Sequence, residues 1–252
     1  MLQINRQGAV AIATLNNVRA HNTLTRDFWG AFREALATLE SKGVRALVLT
    51  GAGRKAFCVG GDLHSFAELK SESDRRSYMM DCITTFQAME NSDLVIVSAV
   101  NGLALGGGCE LAFASDIVVA SETAEFGLPE ARFGLMPGYA AFRGPTIIGR
   151  QWTKYLICTG ERISAKKAQR LGLVLEITEQ SAAAERACKL AEQIANAAPL
   201  AVRACKRMAN GPMDNDTFAS AIDLVTSLQG TADVAEGLAA FIEKRKPSFK
   251  GA

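Results

Sequence analysis

Short apolar runs that alternate with helical segments are the feature that most restricts the fold of this chain. The runs are rich in Val, Ile, Leu and Ala and have the length of single buried strands. Between them, apolar residues recur at helical spacing among charged residues. Buried strands that alternate with helices are typical of an α/β fold. We predict strands at 9–15, 44–51, 94–102 and 116–121, and helices at 25–41 and 71–90.

The last third of the chain has a different character. From about residue 164 the sequence reads as a series of helices, which Pro199 and Gly230 help to separate. It contains no long linker, low-complexity segment or tandem repeat. We therefore predict a helical subdomain in this part of the chain, with helices at 164–172, 181–198, 199–210, 216–230 and 232–246.

Composition and charge exclude several classes of protein. The 252 residues carry a formal net charge of +2, which gives no reason to expect nucleic acid or a membrane as a partner. No stretch has the roughly 18 apolar residues of a membrane span, and the first ten residues lack a signal-peptide pattern. The six cysteines form no CxxC pair and only two histidines accompany them, so we expect no metal site. Free thiols and a cytoplasmic location are the expectation.

Two glycine-rich turns follow buried strands. They are GAGRKAFCVGGDL at 51–63 and NGLALGGGCEL at 101–111, and each is predicted to lead into a helix. Amides at such a junction lack a partner within the helix and lie at the positive end of its dipole. Two of them could bind an oxygen that becomes negative during a reaction. The alternatives are tight turns with close packing, or a phosphate-binding loop, although neither turn has a GxGxxG pattern or a GK[ST] end.

Two carboxylates lie in apolar surroundings. Glu110 follows the glycine triplet within CELAFA, and Glu130 is flanked by Leu128 and Pro129. Burial would raise the pKa of each carboxyl toward the range that suits proton transfer. Each also has a structural explanation. Glu110 could be a charge at a helix N-terminus, and Glu130 could pair with Arg132 or Arg143.

Three motifs, in this order, closely resemble the enoyl-CoA hydratase/isomerase (crotonase) family. They are GAGRKAFCVGGDL, AVNGLALGGGCELAFASD and AEFGLPEARFGLMPG, and the likeness extends from RAHNTLT near the start to EGLAAFIEKRKPSF near the end. The resemblance implies a crotonase-like α/β spiral core of stacked ββα units at 1–195, with the active site, and a C-terminal helical oligomerisation region at 196–252. It also implies a homotrimer or dimer of trimers, and an acyl-CoA thioester as substrate without a separate cofactor.

The resemblance also implies roles for four residues. The amides of Gly61 and Gly107 would hold the thioester oxygen, and Glu110 and Glu130 match the two acid/base glutamates of the hydratases. We assign Glu110 as the base that activates a water for attack on C3 of a trans-2-enoyl-CoA, and Glu130 as the acid that protonates C2. Isomerisation of a 3-enoyl-CoA needs only one base and is the alternative, because one scaffold hosts many chemistries. A non-catalytic CoA-binding protein is a further alternative.

The CoA contacts are implied by the same resemblance. Arg19 and Ala20, in the loop after the first predicted strand, would contact the nucleotide end of CoA. The backbone at Gly61 and Leu63 would approach its adenine and pantetheine portions, and Asp62 would also bind CoA. Phe241 and Lys244 would reach CoA, possibly that of a neighbouring subunit. The alternative for this basic C-terminal segment is a solvated helix end.

The sequence departs from the family pattern at several positions. Where hydratases often have PGxGG, this chain has Tyr139 and Phe142 after Pro137-Gly138. We expect both rings to pack in the core, the alternative being a reshaped acyl pocket. Ala20 replaces the usual proline, which predicts a less rigid loop. His64 is expected to be an exposed loop residue.

Overall fold

A computed structural model of the chain describes the backbone of residues 1–211 and 215–252, and the side chains of residues 1–211 and 220–252. The strands are β1 (Leu2–Gln7), β2 (Val10–Leu15), β3 (Ala46–Gly51), β4 (Ala56–Cys58), β5 (Val95–Val100), β6 (Leu103–Leu105), β7 (Ile117–Ser121), β8 (Glu125–Gly127), β9 (Arg162–Ser164) and β10 (Glu176–Thr178).

The helices alternate with these strands and then follow them. They are α1 (Arg26–Ser41), α2 (Leu63–Ala67), α3 (Glu72–Asn91), α4 (Gly107–Phe113), α5 (Gly138–Ile147), α6 (Arg150–Thr159), α7 (Ala165–Arg170), α8 (Ala183–Ala195), α9 (Pro199–Asn210), α10 (Asn215–Gln229) and α11 (Ala232–Glu243). Two short 3₁₀ helices span Val18–Ala20 and Pro129–Phe133. All four predicted strands and all the predicted helices are confirmed.

The larger sheet has six strands in the order β1-β2-β3-β5-β7-β10. Only β1 is antiparallel to its neighbour, and the other pairings are parallel. Every residue of β3 and of β5 is buried, as expected for parallel strands that are covered on both faces. The sequence analysis did not predict β1, because its polar residues are exposed at the edge of the sheet.

A second sheet has four strands in the order β4-β6-β8-β9. Each of the strands β3, β5 and β7 is followed by a three-residue strand of this second sheet, and then by helical structure. This repeat is the stacked ββα arrangement. The two glycine-rich turns therefore each contain a short strand, β4 or β6, which the sequence analysis did not predict. Because β4 and β6 are parallel neighbours, the glycines that follow them lie side by side.

Helices cover both faces of the larger sheet. The main core contains aromatic residues of α1 and α3, including Phe28, Phe32 and Phe86. On the opposite face, α8 packs a row of four alanines, spaced four residues apart, against small side chains of the strands. Strand β10 lies at the edge of the larger sheet, and α8 ends at Ala195. The division of the chain into a core at 1–195 and an oligomerisation region at 196–252 stays a prediction.

Polar contacts join the end of the chain to the larger sheet and to α11. Arg45 donates hydrogen bonds to the carbonyls of Ala195 and Phe249, and the carboxylate of Asp233 accepts hydrogen bonds from the last residues of the chain. One side of α11 leaves Leu238, Phe241 and Ile242 exposed. Among the residues that the structure describes, no helix is both long and apolar enough to cross a membrane.

Candidate active site

A cavity of about 550 Å³ opens where the strands of the second sheet end. Its lining combines the two glycine segments with side chains from several elements, most of them apolar. The polar groups are few and converge in the same space, as is typical of small-molecule sites. Those central to the site are Gly60, Gly61, Gly106, Gly107, Glu110 and Glu130.

The two glycine segments approach each other closely. A Cβ atom on Gly60 would lie 3.2 Å from the amide nitrogen of Gly107, and one on Gly107 would lie 3.7 Å from the amide nitrogen of Gly61. On either side of Gly61, the backbone is hydrogen-bonded to Leu24. The amide of Leu24 donates to the carbonyl of Gly60, and the amide of Asp62 donates to the carbonyl of Leu24. Within the described part of the chain, the amides of Gly61 and Gly107 donate no hydrogen bond. The cavity therefore has two neighbouring donors that can bind one oxygen.

The three glycines of the triplet serve different purposes. Gly106 has φ of +54°, which residues with a Cβ rarely adopt. Gly107 supplies the free amide at the first position of α4. Gly108 lies against β4, where an added Cβ would be only 2.2 Å from the carbonyl oxygen of Cys58. The close-packing explanation is thus correct for Gly108, and it coexists with an open amide at Gly107.

Glu110 is held by the N-terminus of a different helix. It lies in the first turn of α4 and is 7% exposed. Its Oε1 accepts hydrogen bonds of 2.8 and 2.9 Å from the amides of Tyr139 and Ala140, which lie in the first turn of α5. These amides and the positive end of the helix dipole stabilise the ionised carboxylate. The second oxygen of Glu110 is left for other interactions.

Glu130 has no comparable support. It lies in the 3₁₀ helix after β8, and a Cβ on Gly106 would be 3.0 Å from its Oε1. Its Oε2 is buried and has no hydrogen-bond partner among the described residues. Arg132 pairs with Glu161, and Arg143 pairs with Glu90. The alternative that Glu130 is an ion-pair partner of either arginine is therefore wrong.

The two carboxyls have raised pKa values for partly different reasons. Burial raises the pKa of Glu110 to about 7, although the amides of Ala140 and Tyr139 oppose this rise. Burial also raises the pKa of Glu130 to about 7, and the nearby charge of Glu110 contributes to that rise. Since two amides of α5 favour the charge of Glu110, and that charge raises the pKa of Glu130, a single negative charge shared by the pair resides on Glu110 and the proton on Glu130.

The other predicted site residues are more scattered. Asp62 and Leu63 line the cavity, and the carboxylate of Asp62 caps α2. Arg19 and Ala20 are exposed in a 3₁₀ helix and do not line it. The C-terminal residues also lie outside the cavity lining of their own chain. Phe241 is 83% exposed on α11, and Lys244 caps the end of that helix.

The departures from the family pattern have mixed outcomes. The ring of Tyr139 is buried, as predicted, but Phe142 is 74% exposed on the solvent side of α5, so its predicted core position is wrong. The Phe142 ring instead lies beside the guanidinium of Arg143. His64 is exposed, in the short helix α2 rather than a loop.

The sequence analysis missed several residues that shape the site. Trp29 and Tyr78 line the cavity, and the indole N–H of Trp29 donates to the hydroxyl of Tyr78 at 3.4 Å. Both lie in helices and are largely buried, and an aromatic residue in a helix is usually assigned to the core. Asn22 anchors the loop that lacks the family's proline by donating to the carbonyls of Ala52 and Ala56. The sequence did not indicate this role, because a buried loop asparagine looks the same in a sequence as an exposed one.

The cysteines form neither disulfides nor an activated nucleophile beside the site. All six cysteines are unpaired. Burial raises the pKa of Cys109 well above its usual value, which makes this neighbour of Glu110 a poor nucleophile. In the described ranges, no three His, Cys, Asp or Glu side chains are grouped so that they could hold a metal ion.

A pair of converging amides beside two carboxyls of raised pKa defines a class of enzyme site that stabilises an oxyanion while moving protons. The sequence profile described as "Enoyl-CoA hydratase/isomerase" matches residues 5–252. The chain therefore belongs to the enoyl-CoA hydratase/isomerase family, and its fold is the crotonase fold.

Individual relatives are similar over nearly their whole length. A short-chain-enoyl-CoA hydratase from Clostridium acetobutylicum is 35% identical, with 96% of this chain and 95% of the relative covered. An (E)-benzylidenesuccinyl-CoA hydratase from Thauera aromatica is 37% identical, with 96% of each covered. The crystal structure of an enoyl-CoA hydratase from Bacillus anthracis superposes with a TM-score of 0.94 at 35% identity, covering 100% of this chain and 99% of that one.

Proposed function

We propose that this protein is an enoyl-CoA hydratase, which adds water across the 2,3 double bond of a trans-2-enoyl-CoA thioester. The observation that carries the proposal is the position of two free amides and two unlike carboxyls in one cavity. The names of the relatives from Clostridium acetobutylicum and Thauera aromatica support hydration of a CoA thioester. Coenzyme A is part of the substrate, and the reaction needs no separate cofactor or metal.

The thioester oxygen would bind between the amides of Gly61 and Gly107. Attack of water at C3 moves electrons toward this oxygen and forms an enolate. Two fixed donors stabilise that charge, and removing one such donor typically costs about 3–4 kcal/mol of transition-state stabilisation. A Cβ on Gly60 would lie only 3.0 Å from the carbonyl oxygen of Leu105 and 3.2 Å from the amide nitrogen of Gly107, which explains the absence of a side chain at that position.

Glu110 is the base and Glu130 the acid. The ionised Glu110 takes a proton from water, the water oxygen bonds to C3, and C2 of the enolate takes the proton of Glu130. After these steps Glu110 carries a proton and Glu130 a charge. Because the amides of Tyr139 and Ala140 favour the charge on Glu110, the proton passes back from Glu110 to Glu130, and the site is reset.

Isomerisation of a 3-enoyl-CoA is the runner-up, since the family also contains isomerases. It requires a single carboxyl to move a proton between carbons. Two carboxyls in one cavity favour hydration, because water activation and carbon protonation then have separate groups. The same pair disfavours a protein that only binds acyl-CoA.

The remaining parts of the proposal concern CoA and assembly. Arg19 and Ala20 would contact the nucleotide, together with Phe241 and Lys244 of a neighbouring subunit. The exposed apolar side of α11 supports association into a homotrimer or dimer of trimers. Six unpaired cysteines support a cytoplasmic location, and CoA thioester chemistry supports a role in fatty-acid metabolism.

The test is turnover of crotonyl-CoA, followed by the loss of the absorbance of its conjugated thioester. Glu110→Gln and Glu130→Gln should each lower kcat by about 10²-fold or more. Glu185→Gln, on the surface of α8, is the matched control and should keep wild-type kcat.

Two further arms separate the alternatives. Turnover in H₂¹⁸O should place ¹⁸O in the product, whereas a shifted double bond without oxygen incorporation would support isomerisation. CoA binding without turnover of short, long, branched or aromatic enoyl-CoAs would support a binding protein. Full hydration by either glutamine variant would remove that residue from the mechanism.

A further inference from the structure

Tyr139 is attached to the rest of the molecule at both ends. Its amide donates to Oε1 of Glu110 at 2.8 Å, and its hydroxyl donates to Oε1 of Glu90 at 2.9 Å. Between these contacts, its buried ring packs on Phe86 of α3, with the ring centroids 4.9 Å apart. The amide that holds the proposed base is therefore fixed by a side chain that is bound to a different helix.

Glu90 is a well-supported anchor for the phenol. It lies in the last turn of α3, and its side chain is 16% exposed. Arg143, one turn beyond Tyr139 on α5, forms an ion pair with Glu90 at 2.7 Å. The end of α3 is itself tied to α9, because Asn210 donates to the carbonyl of Glu90 and Lys206 to that of Met89.

We propose that Tyr139 and Glu90 are positioning residues for Glu110. By joining the first turn of α5 to the last turn of α3, their hydrogen bond fixes the two amides that hold the base. The proposal rests on the proposed hydratase function. Neither Tyr139 nor Glu90 lines the active-site cavity, so both act through Glu110 and not on the substrate.

The first test is Tyr139→Phe, which removes the hydroxyl and keeps the ring. Looser amides hold the charged Glu110 less well, so kcat should fall by about three- to tenfold while KM changes less than about twofold. Glu90→Gln retains an oxygen that can accept from the phenol and should keep most of the wild-type kcat. Tyr155→Phe, at a partly exposed position on α6 that does not line the cavity, should behave as wild type.

The second test measures the Glu110 carboxyl directly, by difference infrared titration, with the band assigned by its loss in Glu110→Gln. Tyr139→Phe should raise the pKa of Glu110, and the acid limb of the kcat profile should move upward with it. Glu130 faces the same carboxyl, and so do the thiols of Cys82 and Cys109. Both thiols stay protonated because burial raises their pKa values, so only Glu130 must be assigned separately, by Glu130→Gln.

The outcomes separate the two proposals. A wild-type protein that turns over no enoyl-CoA refutes the hydratase function, while the infrared titration still tests the positioning of Glu110. Unchanged kcat and an unchanged carboxyl titration in Tyr139→Phe would overturn the positioning role. Lower thermal stability with an unchanged carboxyl titration would also overturn it, since Tyr139 would then serve packing alone.

Discussion

Replacing Glu130 with glutamine should make the protein more stable at alkaline pH, although it should abolish most activity. Burial and the charge of Glu110 raise the pKa of Glu130 from the ordinary 4.5 to about 7. A tenfold change in an ionisation constant corresponds to about 1.4 kcal/mol, so the charged form of the native state is disfavoured by about 3 kcal/mol. Glutamine has nearly the same shape and cannot ionise.

The direction of this pH effect follows from the number of protons bound by the native and the unfolded protein. Between pH 4.5 and about 7, the native carboxyl keeps a proton that the unfolded chain has lost. The wild-type free energy of unfolding therefore declines as pH rises through this range, and the loss is complete above it. Relative to wild type, the free energy of unfolding of Glu130→Gln should rise by about 2–3 kcal/mol between pH 5 and pH 8.

The assay is urea unfolding of both proteins at pH 5, 6.5 and 8, followed by tryptophan fluorescence at one fixed protein concentration. Glu185→Gln is the control, because Glu185 is exposed and its ion pair with Lys189 lowers its pKa. This control should show no rise in relative stability with pH. If the difference between Glu130→Gln and wild type is the same at all three pH values, the pKa of Glu130 is not raised in the native state.

Three further substitutions test the packing of a glycine and the contribution of a buried ion pair. Gly108→Ala would place a methyl group 2.2 Å from the carbonyl oxygen of Cys58, and should lower the free energy of unfolding by about 3 kcal/mol. Gly30→Ala, in open space on α1, should raise it by about 0.5–1 kcal/mol, and equal stability of the two variants would contradict the packing. Lys206→Met removes the cation that pairs with the buried Asp116. The free energy of unfolding should fall by about 3–5 kcal/mol, and the thermal midpoint should fall with it. A midpoint close to that of wild type would show that the pair contributes little.

Much of the fold could be predicted because its longer elements carry strong periodic signals. The strands around 44–51 and 94–102 are continuous apolar runs, and α1 has an apolar face with regular spacing. The three-residue strands β4, β6, β8 and β9 could not be predicted, because so short a segment has no periodicity to detect. Their pairing decides that Gly61 and Gly107 meet, although the two residues are 46 positions apart.

Parts of the site were equally inaccessible to sequence reasoning. The pairing of the first turn of α5 with Glu110 depends on how two helices pack, and no local pattern records it. The hydrogen bond between Tyr139 and Glu90 joins residues that are 49 positions apart in two different helices. Each helix can be predicted from its own sequence, but the contact between them cannot. Phe142 was assigned to the core from its apolar character alone. Its exposure reflects the orientation of α5, which periodicity cannot fix in a helix that begins at a glycine and contains Pro145.

The two carboxyls begin as the same chemical group, and the fold makes them different. Burial raises the pKa of both Glu110 and Glu130, so it does not by itself make one of them the base and the other the acid. The first turn of α5 makes the two carboxyls different, because two of its amides donate hydrogen bonds to Glu110 and none donates to Glu130. The charge then lies on the carboxyl with donors, and its field keeps the proton on the other. The first turn of α5 thus sets the direction of proton transfer, which is why the residues that hold this turn in place bear on the reaction without reaching the substrate.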